Sequence, residues 1–277
     1  MKSRIIFFDS QYLKGTAALT DQLLPWHLPG VGLFETMRIY EGTVVLKDAH
    51  IKRVLKGLER GKIKHRFTVK KLSLWLAEVI QKNSMKDGRS RLCVWHDGKT
   101  HISIVVQDYQ VFTEEIYEKG FSAKSFSMGE DEQALTPGVK TIKYGPFLDY
   151  YHQARNYGLD EAILCNNNNS VVEASRANIF WVSRGVLYTP ELKTGCLNGI
   201  TRDAVMTMAE HNNVSVRFVA SPVEQLKKGE EAFLTNSLMG VMPLTRIDDQ
   251  RIGSGAPGPA TILTRNSYHK KILQANK

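Results

Sequence analysis

The clearest chemical signal in this chain is a pair of residues: Lys143, in Lys143-Tyr144-Gly145-Pro146, and Glu173, in Val171-Val172-Glu173-Ala174-Ser175. A lysine amine condenses reversibly with an aldehyde. A carboxylate can keep a proton on a heterocyclic nitrogen and so turn the heterocycle into an electron sink. Together they suggest a site for pyridoxal phosphate (PLP). The amine attacks only when neutral, which calls for a partly desolvated or cation-flanked pocket around Lys143. Taken singly, Lys143 also reads as a surface lysine and Glu173 as a solvent-facing strand residue.

Further candidates lie elsewhere in the chain. In Gly195-Cys196-Leu197-Asn198-Gly199-Ile200-Thr201-Arg202 a glycine-bounded turn enters a helix. Backbone N–H groups at such a start, with the helix dipole, favour a phosphate near Ile200 and Thr201. Thr201 also reads as the N-cap. Arg53 follows His50 by three residues, one helical turn away on the same face. Thr235, in Thr235-Asn236-Ser237, closes a strand and offers a hydroxyl, or simply belongs to a turn. Thr36, in Leu33-Phe34-Glu35-Thr36-Met37-Arg38, could relay a proton or merely pack as a β-branched strand residue.

The elements that must position these groups are legible from periodicity and punctuation. Residues 4–8 and 31–46 read as strands, the second bent back at Glu41-Gly42. Asp48 caps a helix with Ile51, Val54, Leu55 and Leu58 on one face, ending at Gly61, and a second helix starts from Thr68. Strands at 91–96 and 102–108 complete a first α+β domain, residues 1–112, and the polar stretch from Val111 to Glu118 reads as a hinge. A second domain, 113–277, reads as a strand at 121–127, a helix near 147–157, and strands at 161–165, 170–174 and 178–183. The Asn166–Asn169 run serves as a hairpin turn. A helix from Thr201, strands at 214–219 and 231–235, and a last helix near 259–275 follow.

The 277 residues are 42% hydrophobic, enough for sizeable cores. Cys93, Cys165 and Cys196 are too scattered for a zinc cluster or a disulfide framework, which fits a reducing compartment. The apolar run Ile5–Phe8 is stopped by Asp9, too short for a signal peptide or a membrane span. These features place the chain in the cytoplasm. A net charge of +9 could serve nucleic acid, but the basic residues are dispersed and suit anionic small molecules as well.

Asp160-Glu161-Ala162, Glu173-Ala174-Ser175 with Asn178, Thr189-Pro190 and Gly199-Ile200-Thr201-Arg202 stand in one order and spacing over nearly the whole chain. In this the chain resembles the class IV aminotransferases, the fold-type IV PLP family of branched-chain and D-amino acid aminotransferases and 4-amino-4-deoxychorismate lyases. The resemblance implies an α+β, two-domain fold like that of D-amino acid aminotransferase. A small N-terminal α/β sandwich would join a larger, β-barrel-like α/β domain, with the active site between them completed across a homodimer. It implies Lys143 as the PLP lysine, with Lys140 the nearest competitor, and Glu173 as the ring-nitrogen partner. Arg53, Ile200, Thr201, Asn178 and Thr235 would hold the cofactor, and no metal is implied. Thr36, and Leu148 where transaminases often have a tyrosine, resemble the lyases. Pro146 and the asparagines before Glu173 depart from the common pattern. The implied activity is elimination of pyruvate to give 4-aminobenzoate, with amino-acid transamination as the alternative. Arg38, Arg89 and Arg91 are equal candidates for a substrate carboxylate.

Overall fold

The structure, a computed structural model, describes residues 4–129 and 138–275. The chain divides into two compact units; one gathers the residues up to Gln110 together with Val139–Tyr144, and the other includes Gly145–Lys271 and the chain from Val111.

The first unit runs β1 (Arg4–Phe8), β2 (Gln11–Gly15), α1 (Ala17–Gln22), β3 (Val31–Tyr40), β4 (Thr43–Val44), α2 (Lys47–Arg60), α3 (Val69–Lys82), β5 (Gly88–His96) and β6 (Thr100–Gln107). The strands form one sheet in the order β2-β1-β6-β5-β3-β4. Alternation divides β3 between two cores. Leu33, Met37 and Ile39 join Ile51, Val54 and Leu58 of α2 and Leu72 and Leu76 of α3, while Phe34 joins Cys93 and Trp95 of β5. Each fully buried aliphatic side chain of this kind contributes about 1.5–3 kcal/mol. Helix α2 starts differently from the sequence expectation. Its N-cap is Leu46, in the left-handed conformation with φ 53°, and Asp48 lies in the first turn, where its charge suits the dipole.

The second unit runs α4 (Glu114–Lys119), β7 (Phe121–Ser127), α5 (Gly145–Asn156), β8 (Glu161–Cys165), β9 (Val171–Ala174), β10 (Asn178–Ser183), β11 (Val186–Pro190), α6 (Ile200–His211), β12 (Val216–Val219), α7 (Val223–Lys227), β13 (Glu231–Asn236), β14 (Gly240–Ile247), β15 (Gln250–Arg251) and α8 (Pro259–Ala275). The expected hinge is largely α4. Tyr117 on that helix is buried and donates to the Met239 carbonyl at 2.7 Å. The sheet order is β12-β11-β10-β13-β14-β7-β8-β9, with β15 beside β14. Ala174 and Ala177 pair across a tight turn, so β9 at the sheet's end is tied to β10 in its middle. The sheet curls into a half-barrel, and the architecture is α+β.

Candidate active site

The turn between β9 and β10 carries Glu173 on one arm and Asn178 on the other. Asn178 Nδ2 donates to Glu173 Oε2 at 3.1 Å and to the Leu197 carbonyl at 2.8 Å, and the Leu197 N–H donates to the same carboxylate oxygen at 3.1 Å. Hydrogen bonds to the ionised form keep a buried carboxylate charged. Burial, and secondarily the Glu173 charge, pushes the neighbouring Cys196 thiol up to about 11, so it stays protonated and inert at neutral pH. The turn itself is pinned by buried Glu161, which accepts from the Ser175 hydroxyl, from the Ala162 N–H at 2.9 Å and from Arg176 Nε at 3.3 Å. The Arg176 carbonyl accepts from Asn236 Nδ2 at 3.0 Å.

Beside this clamp, α6 begins at Ile200 with Gly199 as N-cap. Thr201 is therefore not the N-cap; it is the second helical residue, buried, with its hydroxyl 3.5 Å from that of Tyr268. The first N–H groups of a helix have no intrahelical acceptor, and Gly199 brings no side-chain oxygen to occupy them. Glycine is required here for space, because a Cβ at 199 would lie 1.9 Å from Asn178 Oδ1. Arg202, the last residue of the motif, is structural. It donates to Thr189 Oγ1, Asn198 Oδ1 and the Pro190 carbonyl at 3.3, 3.2 and 3.0 Å, joining α6 to β11. Thr235 stands opposite Asn178 in the β10–β13 register. Its hydroxyl is buried and has no hydrogen-bond partner among the described residues.

In the first unit, Val139–Tyr144 lies along the open half of β3. The Phe34 N–H donates to the Lys140 carbonyl and the Ile142 N–H to the Gly32 carbonyl, both at 3.0 Å. Lys143 follows directly. It is exposed, not desolvated as its chemistry led us to expect. The Lys140 ammonium instead lies over the rings of Phe34 and Tyr144. Thr36 is half-buried and faces Arg91 in the β3–β5 register, with Arg38 opposite Arg89. The three arginines differ. Arg38 is held by Asp87 at 2.7 Å and by the carbonyls of Ile39 and Gly88, and Arg89 Nε donates to Gln107 Oε1 at 3.1 Å. Arg91 is buried, its Nε lacks a partner among the described residues, and desolvation followed by the Arg89 charge lowers its pKa to about 10.

Arg53 meets a residue that sequence reading passed over. Its Nε and Nη2 donate to Glu35 Oε1 and Oε2 at 2.7 and 2.6 Å, a bidentate pair, while His50 Nδ1 lies 2.7 Å from Oε2. Burial alone would raise the Glu35 carboxyl, but the Arg53 charge and the His50 bond overcome it and hold the group down at about 2. Glu35 sits beside Thr36 in the motif already singled out; a buried glutamate needs cations, and Arg53 and His50 on the next helix were that signal.

Residues 32–247 match the family described as amino-transferase class IV. The chain belongs to that family. Class IV aminotransferases use PLP. The chain is 28% identical to the aminodeoxychorismate lyase of Bacillus subtilis (strain 168) over 97% of its own length and 94% of that protein's. It is 29% identical to the D-alanine aminotransferase of Bacillus licheniformis, over 88% of each. The branched-chain aminotransferase of the thermophilic archaeon Thermoproteus uzoniensis, solved with norvaline, superposes with a TM-score of 0.87 at 26% identity, covering 98% of this chain and 95% of that one. The second unit fits the class IV cofactor on two observations of its own. The buried Thr235 hydroxyl lacks a partner among the described residues, and the uncapped start of α6 follows directly on the segment that clamps a carboxylate suited to a pyridinium.

Proposed function

We propose that this class IV enzyme is 4-amino-4-deoxychorismate lyase, which removes pyruvate from its substrate to leave 4-aminobenzoate. The observation that carries the reading is Thr36, a hydroxyl-bearing residue set directly across β3–β5 from buried Arg91, whose Nε has no partner among the described residues. A proton-relaying group beside a carboxylate-seeking cation suits an anionic substrate that must both lose and gain a proton. Leu148, half-buried on α5, offers no phenol where a transaminase often has one.

In this reading Lys143, Glu173, Asn178, Ile200, Thr201, Thr235 and Arg53 hold the cofactor, the last four around its phosphate. When bound, PLP supplies an aldehyde for the substrate's amine and a ring that accepts electrons. Lys143 would hold the aldehyde in the absence of substrate and would take the proton from the amine-bearing ring carbon. Glu173, steadied by Asn178 and the Leu197 N–H, keeps the proton on the ring nitrogen. Arg91 receives a substrate carboxylate, and Thr36 relays a proton to the enolpyruvyl side chain. Pyruvate leaves and the ring becomes aromatic, which drives the elimination. We place the enzyme in the cytoplasm as a homodimer, without nucleic-acid or membrane partners; no described helix is long and apolar enough to cross a membrane.

The transaminase alternative, on branched-chain or D-amino acids, draws equal support from the relatives' names and uses the same Lys143 and Glu173. Purified protein is incubated with aminodeoxychorismate and, separately, with D-alanine or a branched-chain amino acid plus 2-oxoglutarate. Release of 4-aminobenzoate with pyruvate supports the lyase. Glutamate formed in the second incubation, without the first activity, sinks it.

A further inference from the structure

We infer that Glu35 is a positioning residue for phosphate recognition: gripping Arg53 along Nε and Nη2, it sets the angle at which the guanidinium meets the phosphate of the cofactor. The inference rests on Arg53 being a phosphate ligand, as proposed above.

The geometry is that of a bracket. Glu35 is 2% exposed on β3, a strand paired along its length with β5. His50 Nδ1, from the first turns of α2, fixes Oε2 at 2.7 Å, and His50 is itself buried. The Arg53 side chain is 20% exposed, and its guanidinium is held along one edge, Nε and Nη2, by the buried Glu35 carboxylate. An arginine side chain is flexible, but its planar fork is rigid once one edge is engaged by a carboxylate, and a two-point grip determines where the rest of the plane points. One strand and one helix, packed in the same core, thus fix a side chain that would otherwise have several rotamers to lose on binding.

Electrostatics makes the inference sharp, because orientation and charge pull in opposite directions. An ionised Glu35 partly cancels the Arg53 charge and repels a phosphate dianion. If Coulombic attraction governed affinity, neutralising Glu35 would tighten PLP binding; if orientation governs it, the same change weakens binding.

The test compares PLP with pyridoxal, which lacks the phosphate, by equilibrium dialysis against the wild type, Glu35→Gln, Arg53→Ala and the double variant. Glu35→Gln is expected to weaken PLP about tenfold or more, the scale of a hydrogen bond to a charged group, and to leave pyridoxal within about twofold. Added to Arg53→Ala it should have no further effect. Tighter or unchanged PLP binding in Glu35→Gln, an equal loss for both vitamers, or additive losses in the double variant would overturn the inference. Unchanged PLP binding in Arg53→Ala would instead overturn the reading of Arg53 as a phosphate ligand. Should Glu35→Gln fail to fold, Glu35→Asp keeps the charge and shortens the reach, and the same selective loss of PLP over pyridoxal is expected.

Discussion

Replacing Gly199 with alanine tests the clamp on Glu173 without touching a catalytic group. The backbone there, at φ −73° and ψ 141°, is open to any residue, so the cost is steric. The new Cβ would meet Asn178 Oδ1 at 1.9 Å and Cγ at 3.1 Å, and Asn178 must withdraw by about 1.5 Å to restore an ordinary contact. That movement stretches the 3.1 Å bond to Glu173 and the 2.8 Å bond to Leu197. Losing a bond to a carboxylate costs about 1.5–3 kcal/mol and a neutral one about 1 kcal/mol, so Gly199→Ala should destabilise the protein by about 2.5–4 kcal/mol. Alanine is also a poorer N-cap than glycine, by up to about 1 kcal/mol. A double-mutant cycle separates the two effects. In an Asn178→Ala background the steric part should vanish, leaving a coupling of about 2.5–4 kcal/mol in urea denaturation. PLP binding, followed by its visible absorption, should weaken in Gly199→Ala alone. A coupling within about 0.5 kcal/mol of zero would refute the argument.

Other outcomes follow from the same geometry. Thr235→Val should act with opposite signs, stabilising the cofactor-free protein by about 1 kcal/mol because a buried hydroxyl without a partner is removed, while lowering PLP affinity in dialysis. Arg91→Met removes a desolvated buried cation, so its melting temperature should rise while KM for the anionic substrate climbs by about tenfold or more. In acid, Glu35 goes from an ordinary carboxyl in the unfolded chain to about 2 in the fold. Its contribution, about 3 kcal/mol, is complete above the unfolded value and lost as pH falls towards 2. Denaturation between pH 5 and 2 should therefore be less steep in Glu35→Gln. Lys143→Ala should abolish both turnover and the yellow, borohydride-bleached absorption of the PLP complex.

Much of this arrangement could be read from the chain because local signals and tertiary packing agree. Thr68 caps α3 through the Lys71 N–H as its position suggests, and the apolar face of α2 is the face that is buried. Strands β11 and β14 escape the pattern because each contains a proline. Pro190 ends its strand beside Val219, and Pro243 sits opposite Phe233, where prediction normally disfavours that residue. The start of α2 is obscured by a left-handed leucine, a conformation no propensity favours. Within the site, Glu173 and Asn178 are visible as a spaced pair, whereas Glu35 and Glu161 are not. A glutamate in an alternating strand reads as solvent-facing, and the partners that justify burying it come from residues 14 to 18 positions downstream.

The strip Val139–Tyr144 belongs with strands synthesised a hundred residues earlier, although the chain on either side of it belongs elsewhere. During translation, then, the N-terminal sheet emerges with half of β3 waiting for its neighbour, and Lys143 arrives on the very segment that completes it. A gene fragment ending near residue 112 should yield a sticky, incompletely zipped product, and placement of Lys143, the proposed Schiff-base lysine, is coupled to late closure of the oldest part of the polypeptide.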